Sequence, residues 1–165
     1  FTAMASNMDA EKVVELLNGY LESAVGVVFT HEGLLDKFYG DGIMAVFGPP
    51  RIRSDDARRA VNCAIELQRT VARIGPQLAQ PIAISIGIST GPVVAGHIGS
   101  TRRMDYTVIG DAVNLASRLQ SAAPPGNVYI DEETHKRAAF DLESERMMAK
   151  IKGKADLVPV YALKF

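Results

Sequence analysis

The sequence predicts an α+β sandwich, with helices packed on a largely antiparallel sheet. Apolar residues recur at helical spacing in three segments, and short apolar runs pair across glycine-containing turns as hairpins. The resulting order of helix, hairpin, helix, strand, hairpin, helix and strands suits helices on one face of such a sheet.

Each element has its own signal. Over 7–30, Val13, Leu16 or Leu17, Tyr20, Leu21, Ala24 and Val28 follow three- and four-residue steps, with Asn7 or Asp9 placed to cap the helix and Gly33 to end it. Two strands, 34–39 and 43–47, are joined by Gly40-Asp41-Gly42, a tight hairpin signature. Ser54-Asp55-Asp56 caps a second helix carrying Val61, Ile65, Leu67 or Gln68, Val71 and Ile74, which Gly75-Pro76 stops. Ile82, Ile84, Ile86 and Ile88 alternate with small residues as a strand over 81–90, broken by Gly91-Pro92. Segments 93–98 and 104–109 form a second, long-armed hairpin, followed by a helix over 111–122 and the stop Pro124-Pro125-Gly126. A strand at 128–130, a short helix opened by Asp131-Glu132-Glu133-Thr134, and strands interrupted by Gly153 and Pro159 complete the chain. A strand before the first helix would complete the sheet, so the front is expected to be truncated at Phe1.

Size and charge limit the function classes. The 165 residues suit one domain, 1–165, and 47% hydrophobic with 22% charged residues is the balance of a folded globular protein. Eighteen Lys and Arg against nineteen Asp and Glu give a net charge of −1, which offers no global attraction to nucleic acid or an anionic membrane. The single cysteine, Cys63, excludes an internal disulfide and a thiolate metal cage. No apolar run is expected to approach the ~20 residues of a membrane span, and the first residues lack the pattern of a signal peptide. A cytoplasmic domain without direct membrane contact is the expectation.

Three constellations could carry chemistry. In Lys37-Phe38-Tyr39-Gly40-Asp41-Gly42, a carboxylate on a glycine-flanked tip is open to a hard cation and its phosphates, although Asp-Gly is also simply a good turn. Asn114 and Arg118, four apart on the predicted helix, share a face beside the apolar Leu115 and Leu119. Arginine suits phosphoryl oxygens and asparagine a sugar hydroxyl, but a surface Asn and Arg are commonly bland. Lys150, Lys152 and Lys154 around Gly153 form a local basic patch that an ordinary strand edge would also show. His31, His97 and His135 have no metal-ligand spacing, and no HExxH, Walker A, GxGxxG or GxSxG pattern occurs.

Taken together, the hairpin Lys-x-x-Gly-Asp-Gly, Ile-Gly-Ile-Ser-Thr-Gly-Pro-Val-Val-Ala-Gly at 86–96, Tyr-Thr-Val-Ile-Gly-Asp-Ala-Val-Asn-Leu-Ala-Ser-Arg-Leu at 106–119 and Lys-Gly-Lys at 152–154 closely resemble the catalytic domain of class III nucleotidyl cyclases. The resemblance runs from the first residue to about Leu163. It implies a ferredoxin-like sandwich with a protruding hairpin arm, and conversion of a nucleoside triphosphate to its 3′,5′-cyclic monophosphate and pyrophosphate. It also implies two Mg²⁺ or Mn²⁺ ions per site, held by two aspartates. Asp41 matches the second of these, while Phe1-Thr2 match the end of the motif carrying the first, which places that aspartate just upstream.

Family members pair head to tail, so a homodimer with two composite sites is implied. Asp41 would serve one site, and Lys37, Thr107, Asn114, Arg118 and Lys152 of the same chain the other. The resemblance gives Arg118 the transition-state charge, Asn114 the ribose and Lys152 the terminal phosphates, with Lys154 in its place should the register at Gly153 differ. Lys37 and Thr107 fall on the two purine-reading positions. An ammonium donor and a hydroxyl acceptor match adenine N1 and N6, which makes ATP the expected substrate and an adenylyl cyclase the expected enzyme. The Lys and Thr pairing resembles a bacterial-type subclass with reported bicarbonate stimulation. A guanylyl or relaxed-specificity cyclase and a noncatalytic dimerisation or nucleotide-sensing module remain the alternatives. A diguanylate cyclase would need a Gly-Gly-Asp/Glu-Glu-Phe hairpin, which Gly40-Asp41-Gly42-Ile43-Met44 does not supply.

Overall fold

The computed structural model describes residues 9–75, 82–138, 143–150 and 157–165. In chain order these form α1 (Ala10–Thr30), β1 (Leu34–Tyr39), β2 (Gly42–Val46), α2 (Asp56–Ile74), β3 (Ile86–Ile88), β4 (Val94–Ser100), β5 (Arg103–Ile109), α3 (Asp111–Ala122), β6 (Val128–Asp131), α4 (Glu132–Ala138), β7 (Ser144–Ala149) and β8 (Val158–Leu163). The strands make a mixed sheet in the order β3-β6-β8-β7 and two antiparallel ribbons, β1-β2 and β4-β5. Among the described residues only β3 and β6 pair in parallel.

Alternation along the sheet strands sorts the core into two faces. Val128 and Ile130 of β6 and Leu163 of β8 pack with Ala57, Val61, Ala64 and Ile65 of α2 and Ala138 of α4. Tyr129 and Val160 point the other way, against Leu119 and Ala123 at the end of α3. Helices therefore cover both faces, not the one face that the element order suggested. The cause is visible at Gly87, where an added Cβ would stand 2.2 Å from both the Ala116 carbonyl oxygen and the Gln120 nitrogen. The residue without a side chain lets the α3 backbone lie directly on β3.

Ala24, Val27 and Val28 of α1 pack on Cys63 and Leu67 of α2, with Ile43, Ala45 and Phe47 closing the cluster. Asp9 is the N-cap of α1 and accepts from the Glu11 N–H at 3.2 Å. Both Leu67 and Gln68 of α2 are buried, the latter because its side-chain amide donates to the Ile84 carbonyl at 2.9 Å. That bond, with the Gly126 N–H donating to the same carbonyl at 2.8 Å, explains why the isoleucine strand shrinks to Ile86–Ile88. The Ile84 carbonyl already has its partners outside any ladder.

Two further expectations change. Pro159 lies inside β8 and does not interrupt it, because pairing with β6 begins only at Val160. α1 is, by length and composition alone, long and apolar enough to cross a membrane, its most apolar 18-residue window having a mean hydropathy of 1.3, against the expectation that no run approaches a span. Here its Ala24–Val28 face is packed on α2 and the β1-β2 ribbon. Phe1, Thr2, Lys152, Gly153 and Lys154 fall outside the described residues.

Candidate functional site

The β1-β2 ribbon turns at Gly40-Asp41, with Gly40 at φ 58°, a conformation that favours glycine. Its register skips one residue: Leu35 faces Ala45 and Lys37 faces Met44, leaving Asp36 as the extra residue of a bulge. A regular strand would turn Asp36 and Lys37 to opposite faces. The bulge instead lets both reach Thr107 on β5. The Lys37 Nζ donates to Thr107 Oγ1 at 3.0 Å, and Thr107 Oγ1 donates to Asp36 Oδ2 at 2.9 Å. Lys37 Nζ also stands 3.3 Å from Asp36 Oδ2. Thr107 is 7% exposed, and the Asp36 side chain is 1% exposed against 39% for that of Lys37.

Asp41 is exposed at the ribbon tip. Burial pushes the Tyr20 phenol of α1 above its ordinary range, and the Asp41 carboxylate adds to the shift. Among the described residues no group of three or more His, Cys, Asp or Glu gathers as a metal cage. Asp41 is nonetheless an open, hard oxygen donor of the kind that Mg²⁺ and Mn²⁺ take, and it fits as one ligand of a shell completed from elsewhere.

Asn114 is exposed and Arg118 half-buried, one turn apart on α3. Among the described residues, neither side chain has a hydrogen-bond or ion-pair partner. The structure thus brings Lys37 and Thr107 together, shows no hydrogen bond or ion pair at Asp41, Asn114 or Arg118 among the described residues, and says nothing of Lys152.

Beside the start of α3 lies a cleft of about 300 Å³ lined by residues including Ser89, Thr90, Asp111, Leu115 and Asp131. Its buried carboxylate is occupied structurally: Asp131 accepts from Ser89 Oγ at 2.7 Å and from the Thr134 N–H at 2.8 Å, which caps α4. The residue that sequence reasoning missed is Asp36. Strand alternation places it away from Lys37, and a bulge has no reliable local signal here.

The sequence model described as the adenylate and guanylate cyclase catalytic domain matches residues 1–164. A protein named adenylate cyclase in Mycobacterium bovis is 36% identical over 156 residues, covering 93% of this chain and 35% of that protein. The chain thus spans about a third of the length of such curated relatives. Among solved structures, the adenylyl cyclase CyaB of P. aeruginosa superposes with a TM-score of 0.95 at 32% identity, covering 99% of this chain and 88% of its own. The guanylyl cyclase Cya2 superposes with a TM-score of 0.93 at 36% identity, covering 99% and 85%. The chain belongs to the class III nucleotidyl cyclase catalytic domain family.

Proposed function

We propose that this domain is an adenylyl cyclase, converting ATP to 3′,5′-cyclic AMP and pyrophosphate at sites shared between two copies of the chain. The observation that carries the reading is the 3.0 Å bond from Lys37 to Thr107. It sets an ammonium donor beside a hydroxyl acceptor, the complement of adenine N1 and its N6 amino group. Guanine carries a hydrogen on N1, which an ammonium cannot accept.

In the reaction the ribose 3′-oxygen loses its proton and bonds to the α-phosphorus, and the bond to the β-phosphate oxygen breaks to release pyrophosphate. Arg118 neutralises charge that builds on the α-phosphate, a role open to a guanidinium that has no partner among the described residues. Asn114 orients the ribose, and Lys152, or Lys154 in its place, binds the terminal phosphates. Asp41 and the aspartate expected upstream of Phe1 would hold two Mg²⁺ or Mn²⁺ ions, which when bound supply Lewis acidity at the reacting phosphate and the ribose hydroxyl.

A homodimer suits the surface of the β4-β5 arm, where Val94 is 73% exposed and Met104 and Ile109 are each 58% exposed. ATP as substrate places the domain in the cytoplasm. Neither nucleic acid nor a membrane is a partner of this reading.

The test is chromatography of the products formed from equal ATP and GTP with Mn²⁺, using protein that includes the upstream aspartate, with Asp41→Ala as the control. Cyclic AMP that disappears in the control supports the reading. Dominant cyclic GMP favours guanylyl cyclase activity, the second reading, which the likeness to Cya2 keeps open. No product at concentrations that dimerise the protein favours a noncatalytic module.

A further inference from the structure

Asp36 is an odd residue for its place. Its side chain is 1% exposed, and its Oδ1 is buried with no hydrogen-bond partner among the described residues. A carboxylate withheld from water with one oxygen unpaired is unfavourable, and an apolar side chain would fill a bulge beside β5 without that penalty. It caps no helix. Among the described residues, its polar contacts run only from Oδ2 to Thr107 and Lys37.

We infer that Asp36 is the positioning residue that selects adenine over guanine, by fixing the direction of the Thr107 hydroxyl. The inference rests on the reading of Lys37 and Thr107 as the base-facing pair. A threonine hydroxyl has one hydrogen and two lone pairs. The hydrogen goes to Asp36 Oδ2 at 2.9 Å, and one lone pair receives the Lys37 ammonium at 3.0 Å. What remains for a ligand is one lone pair, so Thr107 can only accept. Lys37 keeps a hydrogen for the same ligand, because an ammonium has three.

The cluster therefore offers one donor and one acceptor side by side. Adenine presents the reverse, an acceptor at N1 and a donor at N6. Guanine presents a donor at N1 and an acceptor at O6, so it would oppose hydrogen to hydrogen at Lys37 and lone pair to lone pair at Thr107. Without Asp36 the hydroxyl is free to rotate and donate to O6, which removes the second of these conflicts. A lone threonine discriminates weakly because its hydroxyl adapts; a threonine whose proton is already committed does not adapt.

The experiment is to measure kcat/KM for ATP and for GTP in the wild-type protein, Asp36→Leu, Asp36→Ala, Thr107→Val, Thr107→Ser and the Asp36→Leu/Thr107→Val pair. The ATP-to-GTP ratio is independent of how much of each preparation is folded, so a partly unfolded variant still reports. Asp36→Leu and Asp36→Ala, which leave no acceptor for the Thr107 proton, are expected to lower the ratio at least about tenfold, with GTP losing less than ATP. Thr107→Ser, which keeps the hydroxyl, should hold the ratio within about threefold, and Asp36→Leu should change nothing further once Thr107 is Val. An unchanged ratio in both Asp36 variants, with the two nucleotides falling together, overturns the inference and leaves the base-facing pair intact. Asp36→Leu and Thr107→Val effects that simply multiply overturn it as well. A wild-type protein that prefers GTP overturns the base-facing pair itself, and the inference with it.

Discussion

The hydrogen-bonded cluster of Asp36, Lys37 and Thr107 and the α3 face bearing Asn114 and Arg118 differ in how their polar side chains are engaged. In the cluster, polar groups are paired before anything binds, the strand is bulged, and a carboxylate is almost fully buried. On α3 the two side chains sit on a regular helix with no partner among the described residues. A group that chooses between bases needs a fixed hydrogen-bond polarity, whereas a guanidinium that meets phosphate needs only its charge and freedom to reach. Substitutions in the cluster should therefore disturb both selectivity and stability, and those on α3 or at the ribbon tip turnover alone.

The largest effect is expected at the tip. Asp41→Ala should lower cyclase turnover by at least about 10³-fold while thermal melting stays unchanged, because the side chain is exposed and the proposed function makes it a metal ligand. Loss of the fold instead would show that Asp41 belongs with the structural cluster. Next comes Arg118→Ala, with kcat down about 10²- to 10³-fold and stability within about 0.5 kcal/mol by urea unfolding. A comparable fall in stability would erase the contrast between the two regions.

Thr107→Val sharpens the contrast from the other side. It removes the hydroxyl that donates to the buried Asp36 Oδ2 and should cost about 1–3 kcal/mol of stability, read as a lower urea midpoint, whereas Asn114→Ala should leave the midpoint in place. The smallest effect concerns Cys63, at the α1-α2 contact. Burial, with Glu66 adding to it, pushes its thiol up to about 12. The protonated form then prevails at every pH below that, so thiol alkylation at around pH 8 should leave the native protein unmodified and proceed only on unfolding.

Local pattern carried most of the fold. Asp9 caps α1, Gly40-Asp41 turns the first ribbon, and α3 spans Asp111–Ala122 as its periodicity required. What local pattern could not carry was decided by contacts between distant segments. The shortening of β3 follows from the bonds that Gln68 and Gly126 make to Ile84, and the second helical face from the approach of α3 to Gly87. The site divides in the same way. Lys37, Asp41, Thr107, Asn114 and Arg118 stood out by residue type and motif, and their grouping by family resemblance. Asp36 did not, because its role depends on a one-residue slip in register and on a partner about seventy positions away.

The central claim is that cyclic AMP is made at sites to which one copy of the chain gives Asp41 and the other gives Lys37, Thr107, Asn114 and Arg118. The most direct measurement mixes the Asp41→Ala and Arg118→Ala proteins, each expected to retain at most about a hundredth of the activity alone, in equal amounts and follows cyclic AMP formation from ATP. Random pairing makes half of the dimers mixed, each with one intact site of two, so the mixture should recover about a quarter of the wild-type rate. Recovery near zero, with mixed dimers demonstrably formed, would contradict the account and place all of these residues in a site belonging to a single chain.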